Sequence, residues 1–114
     1  MNPTRGTIVL VSLDPTRGHE QRGVRPCVIV ANPEVIANQR FPMVCVVPVT
    51  KTQGEGALYP SLDPGSSGLS TRSYALVDQV RSIDKRRITK FFGEISDEEL
   101  KKIDEGLRLF LGLR

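Results

Sequence analysis

Three runs dense in valine and isoleucine crowd the first 49 residues: Thr7–Leu13 (TIVLVSL), Cys27–Ala31 (CVIVA) and Met43–Val49 (MVCVVPV). Each is too short for an ordinary helix and too rich in β-branched side chains to favour one, so each predicts a strand. Asp14-Pro15 after the first run is a turn signal, and Pro26 opens the second. Pro48 has no N–H to give a neighbour, which predicts an edge or a bulge near the end of the third run. Ser73–Val80 (SYALVDQV) and Lys90–Ile95 (KFFGEI) read as further strands, and RSIDKRRI between them as a tight turn with a basic face. KTQGEG and Asp63–Arg72 (DPGSSGLSTR) read as loops.

The one clear helix signature stands near the end. Ser96-Asp97-Glu98-Glu99 fits a capping box, in which the serine caps a backbone N–H and the glutamate returns the bond. Leu100, Ile103, Leu107 and Phe110 recur at helical spacing, joined by Leu111, as a stripe that core or a partner has to cover. Gly106 inside it weakens the helix by about 1 kcal/mol relative to alanine, leaving tertiary packing to hold it. Five or more short strands and one packed helix in 114 residues predict a mainly β fold, a small, partly open β-barrel with a C-terminal helix. This length fills one core, so residues 1–114 are expected to form a single domain, and dimerisation would help so small a core.

Hydrophobic residues at 39% and charged residues at 25% are a soluble globular composition, not a disordered one. No apolar run approaches the roughly 18 residues that cross a bilayer, and the first residues lack a secretory pattern, so a cytoplasmic protein without a membrane partner is expected. Cys27 and Cys45 lie inside apolar runs and read as buried hydrophobes, not a disulfide. His19 is the single histidine, which leaves too few soft ligands for a zinc site; neither metal nor cofactor is expected. The net charge of +3 is uneven: residues 1–93 carry 12 Lys and Arg against 7 Asp and Glu, and residues 94–114 carry 4 against 6. A basic body suits a polyanionic partner, although solubility alone also explains it.

The candidate site begins at GHEQRGVRPCVIVAN, residues 18–32, where a charged, glycine-bearing loop enters an apolar strand. Arg25 precedes Pro26 and is pushed toward extended backbone, which fixes a permanent cation at a strand mouth. Its planar fork of donors fits phosphate oxygens, and a salt bridge to Glu20 or another carboxylate is the competing use. Thr50, in VVPVTKTQ, offers a hydroxyl at a strand end that can donate to an oxyanion or satisfy local backbone. Gln79 and Arg81 lie two apart and share a face if their segment is a strand, with Asp78 and Val80 opposite. A glutamine amide can read a base edge and an arginine can hold a phosphate; an ordinary exposed strand face is the alternative. His19 is the one side chain whose unperturbed pKa lies near neutrality.

RGTIVLVSLDPTRGHEQRGVRPCVIVAN resembles the N-terminal signature of the MazF/PemK-like toxins: a first strand, an L-D-P-T-x-G turn, an E-Q-x-G-x-R-P loop and an apolar strand. VVPVTKT is similar to the family's third strand ending in threonine, and ALVDQVRSIDKRRI to its later D-Q-V-x-S-I segment. The resemblance runs through nearly the whole chain. It implies an SH3-like barrel, a homodimer, and a metal-independent endoribonuclease that cuts single-stranded RNA at short motifs and is neutralised by a cognate antitoxin. It places the catalytic arginine on Arg25, the catalytic threonine on Thr50 and an RNA-contacting glutamine on Gln79. Further RNA contacts are expected at His19, Glu20, Gln21, Lys51, Asp78 and Arg81. Related sequences often have serine where this chain has His19, so loop behaviour or base preference is expected to differ.

In the chemistry so implied, a ribose 2′-OH attacks the adjacent phosphorus and a 5′-OH leaves, while Arg25 and Thr50 stabilise the charge on the phosphoryl oxygens. Arginine is a poor general base because its pKa lies above about 12. His19 is the available conventional candidate. The competing functions are a non-enzymatic toxin of the same fold that binds a protein such as DNA gyrase, and a plain RNA-binding barrel that holds RNA uncut.

Overall fold

The computed structural model describes residues 2–114. Seven antiparallel strands form one sheet: β1 (Thr7–Ser12), β2 (Val24–Ile29), β3 (Met43–Thr50), β4 (Ser61–Leu62), β5 (Ser73–Ala75), β6 (Arg81–Asp84) and β7 (Ile88–Glu94). A short helix α1 (Pro33–Ala37) joins β2 to β3, and α2 (Asp97–Leu111) follows β7. The order across the sheet is β4-β5-β3-β2-β1-β7, with β6 also paired to β3. The result is the predicted mainly β, curled and partly open barrel with its C-terminal helix.

β3 explains the arrangement. One edge pairs with β2 through Val46–Pro48, while the other pairs with β6 through Met43–Val46 and with β5 through Val49 and Thr50. Pro48 therefore sits inside a central strand, not at an edge or bulge. Its carbonyl accepts the Leu76 N–H at 2.8 Å on the side where β3 changes partner, and its missing N–H falls in that same gap. The change of partner also divides SYALVDQV. Only Ser73–Ala75 is strand; Val77–Gln79 forms a 3-10 turn closed by Val80 N to Val77 O, and the chain rejoins β3 as β6. RSIDKRRI, read as a tight turn, is β6 followed by a 3-10 turn over Lys85–Arg87.

Alternation along the strands explains the continuous apolar runs. Ile8, Val28, Val47 and Val49 belong to one buried cluster with Ile95 and Ile103, on the side of α2. Val9, Cys27, Ile29, Val44 and Val46 belong to a second with Ile36 and Ile83. Both faces of the sheet are covered, so neither face of its central strands needs polar residues. α1 carries cues of its own, with Asn32 capping Glu34 N and a proline in the first turn. Lys85 Nζ donates to the carbonyls of Val35, Ile36 and Asn38, closing its C-terminal end.

The loop Asp63–Arg72, which links β4 to β5, fastens to the edge strand β7. Glu94 N donates to Ser66 O at 3.1 Å, and a Cβ on Gly68 would lie 2.8 Å from the backbone carbon of Phe92. A Cβ on Gly93 would strike the backbone of Ser66 and Ser67, so backbone touches backbone here and glycine is required on both sides. The capping box of α2 forms as predicted: Glu99 N donates to Ser96 Oγ and Ser96 N to Glu99 Oε1. Glu99 Oε2 accepts Asp63 N at 2.6 Å, fixing the helix start to the closing loop. Arg5 makes a bidentate pair with Asp104, Nη1 to Oδ2 at 2.8 Å, and gives Nε to Val30 O.

The stripe on α2 is covered only in part. Ile103 is fully buried and Leu100 and Leu107 half-buried, but Phe110 and Leu111 stand 45% and 52% exposed, beside exposed Leu109 and Leu113. Gly106 proves to be a packing residue: a Cβ there would lie 2.8 Å from Ala57 O and 3.3 Å from both methyls of Val77. Cys27 and Cys45 are both free thiols.

Candidate active site

Arg25 is the second residue of β2, which starts at Val24, three residues before the predicted run. The β2–β3 ladder ends at Cys27 opposite Pro48, and its register continued by two residues sets Arg25 across from Thr50. Both side chains line one cleft of about 630 Å³ at this end of the barrel, together with Lys51, Phe92 and the loop residues Leu69 and Ser70. Of the expected site residues, Arg25, Thr50 and Lys51 are thus brought together within a single chain.

Arg25 is exposed and uses Nε to donate to Arg22 O at 3.0 Å. Among the described residues the ion pairs are Arg5–Asp104 and Arg86–Asp84, so the salt bridge expected as the competing use of Arg25 does not form. Glu20 is occupied instead by Arg17, whose backbone N–H it accepts. The guanidinium therefore faces the cleft with both terminal nitrogens free of carboxylates, which suits an anionic ligand. Thr50 Oγ1 accepts Thr52 N at 3.2 Å. This satisfies local backbone with a lone pair and leaves the hydroxyl hydrogen to donate.

The other expected residues gather in a second recess of about 490 Å³, lined by His19, Glu20, Gln21, Gln79 and Arg81 along with Asp78 and Val80. Asp78, Gln79, Val80 and Arg81 all face it, so the expected alternation fails: Gln79 lies in a 3-10 turn, and Arg81 only begins β6. Gln79 Oε1 accepts Gln21 N at 2.6 Å and Nε2 donates to His19 O at 3.2 Å. Arg81 Nη1 donates to Leu13 O at 3.1 Å. His19 is exposed and belongs to this recess and not to the Arg25–Thr50 cleft.

Asp78 accepts the Tyr59 hydroxyl at 2.6 Å through Oδ2, and its Oδ1 is buried with no partner among the described residues. The hydrogen bond to this carboxylate holds the Tyr59 phenol above its usual range, protonated and donating. Tyr59 also lines a third recess of about 490 Å³ with Tyr74, Arg72 and Lys102. Sequence reading missed this aromatic and cationic group and the wall residues Phe92 and Ser70. They come from five separate segments, with no local motif to mark them. No group of three or more His, Cys, Asp or Glu able to hold a metal occurs among the described residues.

Residues 4–111 match the family model of the PemK-like, MazF-like toxin of type II toxin-antitoxin system. The chain belongs to this family. It is 35% identical over 112 residues to "Endoribonuclease EndoA" of Bacillus subtilis (strain 168), an alignment covering 96% of this chain and 94% of that protein. The crystal structure of MazF (Form-I) from Deinococcus radiodurans superposes with a TM-score of 0.83 at 27% identity, covering 99% of both chains. A MazE-MazF crystal structure (Form-II) from the same organism matches with a TM-score of 0.76 at 26% identity, over 100% of this chain and 99% of that one. The PemK/MazF-like chain described here thus shares both sequence and barrel with these proteins.

Proposed function

We propose that this chain is an endoribonuclease toxin that cuts single-stranded RNA, with Arg25 and Thr50 acting together on the scissile phosphodiester. The carrying observation is the cleft in which an arginine without a carboxylate partner meets a hydroxyl with its hydrogen to give. The 2′-oxygen bonds to the adjacent phosphorus as its proton passes to solvent. The P–O5′ bond breaks, and the departing oxygen keeps the bonding pair, takes a proton from solvent and leaves as a hydroxyl, with a 2′,3′-cyclic phosphate behind. Charge grows on the phosphoryl oxygens, where the Arg25 fork and the Thr50 hydroxyl donate to it. Arg25 acts here through its fixed charge and its planar fork of donors, not as a base. His19, in the second recess, is given no part in this proton transfer.

The neighbouring recesses supply the rest of an RNA path. Lys51 flanks the scissile position, Arg81 and the loop around His19, Glu20 and Gln21 lie to one side, and Tyr59 and Tyr74 beside Arg72 and Lys102 offer stacking faces with cations. Asp78 acts indirectly, by holding Tyr59. The fixed guanidinium supplies the charge that a metal supplies in other nucleases, so cleavage is metal-independent. Residues 1–114 work as one cytoplasmic domain and pair as a homodimer, for which the apolar end of α2 provides surface. The MazE-MazF likeness supports an antitoxin partner, an acidic segment that folds over the basic recesses and excludes RNA.

Incubating the pure protein with a long transcript in excess EDTA, then sequencing the ends, tests the reading. Specific cuts that vanish in Arg25→Ala at unchanged folding support it; full cleavage by that variant removes the site. A co-encoded acidic peptide that binds simultaneously with RNA would count against occlusion.

A further inference from the structure

The loop from Asp14 to Gly23 is tied down from one side. At its base, Leu13 N donates to Gly23 O at 2.9 Å, Arg81 Nη1 reaches Leu13 O, and Arg87 Nη1 reaches the carbonyls of Ser12 and Asp14. Its turn is closed by Glu20 N to Arg17 O. Its far end is held by one side chain, Gln79, which spans Glu20 by accepting from Gln21 N and donating to His19 O. A backbone N–H can only donate and a carbonyl can only accept, so the amide has a single orientation that satisfies both. The next residue, Arg22, uses its carbonyl to accept Arg25 Nε at 3.0 Å.

We propose that Gln79 is a positioning residue: its amide clamps the β1–β2 loop and, through Arg22 O, sets the guanidinium of Arg25 toward the cleft. Only the Gln21–Arg22 peptide link separates the clamped group from the one that holds Nε. With Nε taken by a backbone carbonyl, the four N–H groups on the terminal nitrogens are left for a phosphate. Reading a base edge with paired donor and acceptor atoms would require the same amide oxygen and nitrogen that the loop already occupies. The amide thus serves the arginine's geometry, and base preference belongs to other groups. The inference rests on the proposed role of Arg25 in cleavage.

Gln79→Ala and Gln79→Glu test it, on a transcript with mapped cut sites and on its single-base variants. Gln79→Ala is expected to lower kcat on the order of 10²-fold with KM little changed, because a shift of about an ångström in a reacting group has that effect. The ranking of cut sites stays as in the parent. Hydrogen exchange at the Gln21 amide speeds up roughly 10-fold or more as its acceptor is lost, while amides of β3 keep their protection. The Arg25 Nε–H resonance broadens or loses protection. Gln79→Glu, which still accepts from Gln21 but cannot donate to His19, falls between. Unchanged exchange at Gln21, faster exchange with unchanged kcat, or unchanged kcat with relaxed preference at one base would each overturn the proposal. If Arg25→Ala still cleaves RNA, the catalytic reading fails; the Gln21 exchange and the Arg25 Nε–H signal then still decide whether Gln79 sets the arginine.

Discussion

Arg25 and Thr50 face each other two residues past the last rung of the β2–β3 ladder, where Cys27 opposes Pro48. Strand register sets where the two backbones lie, and the β1–β2 loop, through Arg22 O, sets the direction of the Arg25 guanidinium. Replacing Arg25 with alanine is expected to lower the cleavage rate by about 10³- to 10⁵-fold, the range seen when a transition-state arginine is removed from phosphoryl transfer. Arg25→Lys recovers only part of this, because a point charge lacks the planar fork. Initial rates on a transcript with one mapped site, beside melting curves that stay near the parent's, check it.

Thr50→Val removes a donor while keeping the shape. A loss of about 10²- to 10³-fold in kcat is expected, as for one oxyanion donor. Because Thr50 Oγ1 also accepts Thr52 N, valine loosens the turn after β3 as well. Thr50→Ser keeps both bonds and is expected to retain most activity, so comparing the two rates separates donor from shape.

Gly106→Ala sets two effects of opposite sign against each other. Alanine favours helix by about 1 kcal/mol over glycine. Its methyl would press on Ala57 O at 2.8 Å and on Val77, and overpacking of this kind costs about 1–3 kcal/mol. Backbone oxygen cannot swing aside as a side chain can, so net destabilisation is expected, seen as a lower urea midpoint at unchanged slope.

Cys27 should resist alkylation. Burial pushes its thiol up to about 12 despite the opposing pull of Arg81, so almost no thiolate exists at pH 8. Burial raises Cys45 as well, though that side chain is only half-buried. Labelling followed by mass spectrometry is expected to modify Cys45 before Cys27 and to reach Cys27 only as denaturant opens the barrel. Rapid labelling of Cys27 in the native protein would contradict this packing.

The parts of the fold that sequence made legible are those set by local chemistry. The runs around Val9, Val28 and Val46 announced strands by their branching, and Ser96 with Glu99 announced the start of α2. SYALVDQV misled because its break answers a partner change on β3 at Pro48, far away in sequence. α1 had its cap and proline in Asn32-Pro33 but too few residues to show a helical period. At the site, Arg25 and Thr50 could be singled out by type and by family resemblance, and their nearness came from register. Gln79 was legible as a polar residue of interest, yet its bonds to His19 and Gln21 depend on a 3-10 turn that no periodicity reveals. Gly106 looked like a weakness in a helix because its neighbour Ala57 lies outside any local window.

The loop from Asp63 to Arg72 fastens to β7 through glycine-thin contacts, and Gly68, Leu69 and Ser70 from it form one wall of the Arg25–Thr50 cleft. Fastener and proposed reaction chamber are therefore a single seam. Any change that unpicks it admits water to the interior and widens the cleft proposed for the phosphate in the same movement, so durability and cutting are expected to rise and fall together along that edge.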